Sequence, residues 1–96
     1  MPEVRKSDEF LRWIDALRDV RARARIQVRI ERLAFGNAGD VRPVGNGVFE
    51  MRIHYGPGYR VYFTNRGREL IILLAGGDKR TQVGDIRKAV RLACEL

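Results

Sequence analysis

Between Phe49 and Phe63 the chain alternates apolar and polar side chains on either side of Gly56-Pro57-Gly58, the pattern of a β-hairpin. Successive side chains of a strand point to opposite faces, so Phe49, Met51 and Ile53 share one side while Glu50, Arg52 and His54 share the other. With the Gly-Pro-Gly segment closing a tight loop, Tyr59, Val61 and Phe63 join the apolar side. Arg60, Tyr62 and Thr64 then lie opposite His54, Arg52 and Glu50. One apolar face and one cationic face are expected.

The flanking segments supply what the apolar face needs. Ser7 is placed to cap a helix with Asp8 and Glu9 in its first turn, in which Phe10, Trp13, Ile14 and Leu17 recur at helical spacing. Asp19 is placed to cap a second, with a stripe of Ala22, Ile26, Ile30 and Leu33 and a stop at Gly36-Asn37. The short link at Arg18-Asp19 predicts that the two form an antiparallel hairpin. Strand signals follow over Asp40 to Val44, Val48 to Tyr55, Tyr59 to Thr64 and Glu69 to Ala75. A four-residue loop at Asn65-Arg66-Gly67-Arg68 would set Leu70, Ile72 and Leu74 beside the apolar arm faces, with Ile71 and Leu73 among the basic side chains. Because that last strand is apolar on both faces, it is expected to be central or covered on both sides. From Thr81 to Glu95 a terminal helix carries Val83, Ile86, Val90 and Ala93 on one stripe. The expected fold is α+β: an N-terminal helical hairpin packed on a four-stranded antiparallel sheet, with a C-terminal helix and the other sheet face partly open.

Composition bounds the function. A chain of 96 residues with 45% hydrophobic content suits a single domain over residues 1–96. Nineteen Lys and Arg against twelve Asp and Glu leave a formal charge of +7, which favours a polyanionic partner. Cys94 stands alone, which excludes an internal disulfide or a cysteine zinc cluster and fits a reducing compartment. No apolar run reaches the roughly 18 to 20 residues needed to cross a bilayer, and Met1 to Lys6 lacks a secretory apolar run. A cytoplasmic location and no membrane partner are therefore expected. No acidic cluster or histidine pair has metal-ligand spacing, and Gly76-Gly77 lacks the rest of a nucleotide-binding loop, so neither metal nor cofactor is expected.

Arg52, His54, Arg60 and Tyr62 come from paired strands, where neighbours about 5 Å apart can gather into one patch. Such a patch fits RNA: arginine grips a phosphate through a planar fork and stabilises charge that develops on it as a nucleophile attacks. Lys79 follows the central strand, and crowding by Arg80, Arg60 or Arg52 would lower its pKa toward a value useful for proton transfer. Tyr55 and Tyr59 flank the Gly-Pro-Gly turn and offer rings for base stacking, or brace the loop. Arg21, Arg25, Arg29 and Arg32 line one side of the second helix, either as a solvated face or as a hold on a large anionic surface. The competing reading makes Arg52 and Arg60 solvated residues paired with Glu50.

The segments Gly47 to Ile53, Tyr55 to Phe63 and Leu74 to Gln82 together resemble the addiction-module killer branch of the RelE/ParE superfamily of type II toxins, close to its HigB-like members. The resemblance covers nearly the whole chain. It implies a ribosome-dependent endoribonuclease that cuts messenger RNA in the decoding site, without metal, and is silenced by a cognate antitoxin, expected to be a small helix-turn-helix protein. In such toxins the ribose 2′-hydroxyl attacks the adjacent phosphate, leaving a cyclic phosphate and a free 5′-hydroxyl. Carried onto this chain, Arg52 and Arg60 match the cations that hold the phosphate, and Lys79 with Arg80 match the basic pair after the last strand. Tyr62, Tyr59, Arg25 and Arg29 are the expected RNA contacts. The final helix offers no Tyr or His, and Glu50 stands where some members have lysine, which leaves Glu50, Lys79 or His54 as acid or base. Gyrase-poisoning relatives use the same scaffold for binding alone, and that is the alternative expectation.

Overall fold

The computed structural model describes residues 1–96. Its elements in chain order are β1 (Glu3–Lys6), α1 (Asp8–Ala16), α2 (Val20–Ala34), β2 (Val41–Gly45), β3 (Val48–Ile53), β4 (Tyr59–Arg66), β5 (Leu70–Gly77), a 3-10 turn at Lys79–Thr81, and α3 (Gln82–Cys94). The fold is α+β. Its sheet is five-stranded and mixed, in the order β1-β5-β4-β3-β2. The fifth strand is β1, which pairs parallel with β5 from Glu3↔Leu70 to Lys6↔Leu73. With one apolar residue in four, β1 carries no pattern of its own; it forms because the apolar β5 needs a partner on its second edge.

Ser7 joins β1 to α1 and has two tasks. Its hydroxyl accepts the Phe10 amide at 3.0 Å as an N-cap and donates to the Leu74 carbonyl at 2.6 Å, so the helix start is pinned to the sheet. Asp19 caps α2 through the amides of Arg21 and Ala22. Between β2 and β3, Asn46 and Gly47 both have positive φ, as a two-residue type I′ turn requires.

Phe10, Ile26, Ile30 and Leu33 from the two N-terminal helices pack with Met51, Ile53, Val61, Phe63, Ile71 and Leu73 on one sheet face. The other face is not open. Val48, Tyr62, Ile72, Leu74 and Ala75 pack there beneath Ala89 of α3, with Ile86, Val90 and Ala93 alongside. Val83, expected on that stripe, is 66% exposed and stays outside the core, while its neighbour Gln82 reaches the sheet. Cys94 ends α3 and is exposed.

Two registers differ from expectation. Strand β4 runs on to Arg66, which pairs with Leu70 across a three-residue loop, so Phe63 meets Leu73 and Thr64 meets Ile72. The partner of Phe63 thus moves from the expected Leu70 to Leu73, and an odd shift swaps faces, which puts Ile71 and Leu73 in the helix-side core and Ile72 and Leu74 under α3. A bulge at Tyr62/Phe63 then brings Ala75 to the α3 side as well. In the hairpin, β3 ends at Ile53 and the loop takes five residues, so Arg52 pairs with Arg60 and Glu50 with Tyr62.

Glu9 ties α1 to α3: its carboxylate meets Lys88 Nζ at 2.8 Å and Arg12 Nη2 at 2.7 Å. The hydrogen bonds from Lys88 and then Arg12 lower its pKa from 4.5 to about 2. A carboxylate depressed on folding stabilises above its unfolded pKa, and that stabilisation fades as the pH falls from 4.5 to about 2. Lys88→Met is therefore expected to lower the Tm at neutral pH, with the gap to the parent closing across that acid window. Melting curves taken along a pH series check it; a gap independent of pH would show that the contact does not couple to Glu9.

No helix is long and apolar enough to cross a membrane.

Candidate functional site

At the centre of β3 the strand alternation turns Glu50 toward α3, where its side chain is 1% exposed. Oε1 accepts from Arg52 Nε at 2.9 Å. Oε2 accepts from the Tyr62 hydroxyl at 3.0 Å and from Gln82 Nε2 at 2.9 Å, and it faces Arg60 Nε at 3.5 Å. Three elements, β3, β4 and the start of α3, thus converge on one carboxylate. Arg52 and Arg60 are direct cross-strand partners, and their shared anchor holds both guanidiniums on one side of the sheet.

Burial pushes the Glu50 carboxyl upward, but hydrogen bonds from Arg52, Gln82 and Tyr62 outweigh it and hold the group below the usual carboxylate range. The same bond raises Arg52 above the ordinary guanidinium value. Burial, then the Glu50 charge, raises the Tyr62 phenol, which stays protonated and donates. Two cations against one anion leave a positive balance at the cluster.

Gly58 brings the 3-10 turn to this cluster. It has φ +79°, and a Cβ there would lie 3.6 Å from Lys79 Cβ and 3.7 Å from Arg60 Nη1, so both residues border the same spot. Arg60 Nη1 donates to the Gly58 carbonyl at 3.1 Å. Lys79 is exposed and makes no ion pair. Arg80 is also exposed; Asp78, which caps the turn, holds its guanidinium at 3.3 Å.

The expected patch of Arg52, His54, Arg60 and Tyr62 is therefore redrawn. His54 lies one residue beyond β3, so alternation no longer fixes its side; it is 74% exposed, bonds Asp40 at 2.7 Å and lines a hollow beside α2. The His54 bond holds the Asp40 carboxyl below its ordinary range. Tyr62 is wholly buried and has no ring face for a base, which corrects its assignment to RNA contact. Tyr59 points to the helix side, as alternation requires, with its ring edge-on to Trp13 at 6.3 Å.

The hollow beside α2 measures about 680 Å³ and is lined by Arg21, Arg25, Arg29, Arg32, Ile53 and His54 among others, with no carboxylate in its lining. Arg25 covers the Tyr55 ring at 4.6 Å. Arg29 is a backbone clamp: Nη1 donates to the Arg52 carbonyl at 2.6 Å and Nη2 to the Ala38 carbonyl at 3.1 Å. It braces the end of β3 and has little left for a ligand.

From sequence, Glu50 is expected only as a partner of solvated arginines or as an acid or base; its place as the buried hub, and Gln82 as its α3 ligand, come from the structure. Glu50 was findable, since it is two residues from Arg52 and opposite Tyr62 once the register is right. Gln82 carries no local signal; only the docking of α3 brings it there.

A family model described as "Phage derived protein Gp49-like (DUF891)" matches residues 12–94. A Haemophilus influenzae protein described as uncharacterized is 49% identical over 94 residues, spanning 98% of this chain and 95% of that protein.

Proposed function

The chain belongs to the Gp49-like family of phage-derived proteins, and from that membership and the site geometry we propose that it is the toxin of a type II toxin-antitoxin pair, a HigB-like endoribonuclease of the RelE/ParE type that cuts ribosome-bound messenger RNA. The observation that carries the reading is the Arg52–Arg60 pair, opposed across β3 and β4 and oriented by one buried anion. Guanidiniums so arranged suit a phosphodiester whose charge grows in the transition state.

In the proposed reaction the ribose 2′-oxygen bonds to phosphorus and the bond from phosphorus to the 5′-oxygen breaks. One proton leaves the 2′-hydroxyl and one reaches the 5′-oxygen. Arg52 carries terminal nitrogens with no protein partner, so it faces the phosphate; Arg60 backs it from a more enclosed position. Lys79, beside Arg60 and free of ion pairs, is the proton-transfer group, with Arg80 adding positive potential at the rim. His54, Arg21, Arg25 and Arg32 border a separate cationic hollow suited to the RNA of the ribosome. Orientation of the message by the ribosome supplies part of the rate. A cognate antitoxin, a small helix-turn-helix protein with acidic segments, is the proposed partner that silences the site.

Brief induction in a growing culture, followed by mapping of transcript 5′ ends, tests this. New 5′ ends in coding regions, with growth arrest, are the expected result. Intact messages accompanied by trapped gyrase–DNA cleavage complexes would assign the chain to gyrase poisoning instead.

A further inference from the structure

Glu50 is the carboxylate that Arg52 and Arg60 share, which makes it the obvious candidate for the base that takes the 2′-hydroxyl proton. Its surroundings argue otherwise. Both oxygens already accept hydrogen bonds, Oε1 from Arg52 and Oε2 from Tyr62 and Gln82, and the side chain is 1% exposed. At that burial a substrate hydroxyl cannot approach either oxygen. A base must come within hydrogen-bond reach of the proton it abstracts, about 2.6–3.2 Å between heavy atoms.

What Glu50 does reach is the pair of arginines. It holds Arg52 by the Nε edge, leaving the two terminal nitrogens of Arg52 without a protein partner. Arg60 Nε, buried and without a hydrogen bond, faces Oε2 at 3.5 Å, so charge attraction to Glu50 and the Nη1 bond to Gly58 set that side chain. Gln82 brings the first turn of α3 onto the same oxygen. Resting on the nuclease reading above, we propose that Glu50 is a positioning residue, a fixed anion that sets Arg52 and Arg60 side by side, and that Gln82 is the contact through which docking of α3 completes that setting. The proton is then taken by another group, and Glu50 keeps the same ionisation throughout the cycle.

The two roles separate in the pH dependence of cleavage. If Glu50 were the base, Glu50→Gln would abolish the acid limb of the pH–rate profile. As an anchor, it leaves the limbs where they are and the rate falls by about 10²-fold as the arginines lose alignment. Gln82→Met, at the half-buried start of α3, gives a second reading that does not depend on removing a buried charge. Taking a hydrogen bond from a catalytic carboxylate raises its pKa, which would move the acid limb to higher pH. An anchoring carboxylate predicts instead a lower kcat with an unmoved limb.

The measurement is single-turnover cleavage of a ribosome-bound message by the full chain and both variants across pH, with melting curves on the same samples. Reduced rates with unshifted limbs support the anchor role. A lost limb in Glu50→Gln, or a limb moved upward in Gln82→Met, overturns it while the nuclease reading stands, because the parent still cuts. If the parent cuts nothing, the nuclease reading fails and the anchor role in cleavage falls with it. Should Glu50→Gln fail to fold, Gln82→Met decides by the same two outcomes.

Discussion

Replacing Arg52 with alanine is expected to slow cleavage of ribosome-bound message by about 10²- to 10³-fold, the usual cost of removing one preorganised donor from a developing charge. Arg60 remains, but its side chain is only 9% exposed, and Nη1 is engaged by the Gly58 carbonyl. It cannot turn outward to replace the missing fork. Stability should fall as well, since Arg52 makes a charge-assisted bond to a buried carboxylate worth roughly 1.5–3 kcal/mol. That loss leaves Tyr62, Gln82 and Arg60 around Glu50, so the chain still folds. Arg52→Lys separates the two effects. Lysine restores a positive charge, but it has a single ammonium and cannot bind the Glu50 carboxylate by one edge while presenting two nitrogens outward. Cleavage should stay low in both variants. Single-turnover kinetics beside thermal melts check this; undiminished cleavage in Arg52→Ala would remove the arginine from the mechanism.

Gly76→Ala is expected to destabilise the fold by about 2 kcal/mol, in the range of core overpacking. A Cβ at this position would overlap Cε3, Cζ3 and Cδ2 of the Trp13 ring, three atoms of a rigid plane. The ring cannot yield freely, because Phe10 lies 5.8 Å away and Tyr59 6.3 Å away, centroid to centroid. The φ of Gly76 is not positive, so alanine adds no backbone strain. Lower chain entropy in the unfolded state offsets only about 0.4–1 kcal/mol. At roughly 4–8 °C per kcal/mol for a domain of this size, the Tm should drop by about 10 °C. Trp13→Leu in the same chain should recover part of it, and a double-mutant cycle that proves additive would show that the ring and the glycine do not meet.

The helices were legible because each has a capping residue and a periodic stripe: Ser7 and Asp19 cap as expected, and Phe10, Ile26, Ile30 and Leu33 reach the core. Strand β1 was not legible, since Glu3–Lys6 has one apolar residue and owes its pairing to β5. The order of the sheet strands after β1 follows from the hairpin turns, but the register does not. A loop of three residues, Gly67 to Glu69, in place of the expected four was enough to exchange the faces of β5. For the site, alternation brought Glu50, Arg52, Arg60 and Tyr62 to one side, which is where they are. It could not tell that α3 covers Glu50 and Tyr62, and so it read Tyr62 as a platform where it is a buried donor. His54 was misplaced for a simpler reason: the strand stops one residue before it.

Purified protein added to ribosomes programmed with a defined message tests the central claim, that the Arg52–Arg60 pair acts on an RNA phosphate during 2′-hydroxyl attack. The expected result is a cut leaving a 2′,3′-cyclic phosphate and a 5′-hydroxyl, abolished by a single 2′-deoxynucleotide at the cut position and by Arg52→Ala. A message left whole by the parent protein, or cut as fast after either change, would contradict the account.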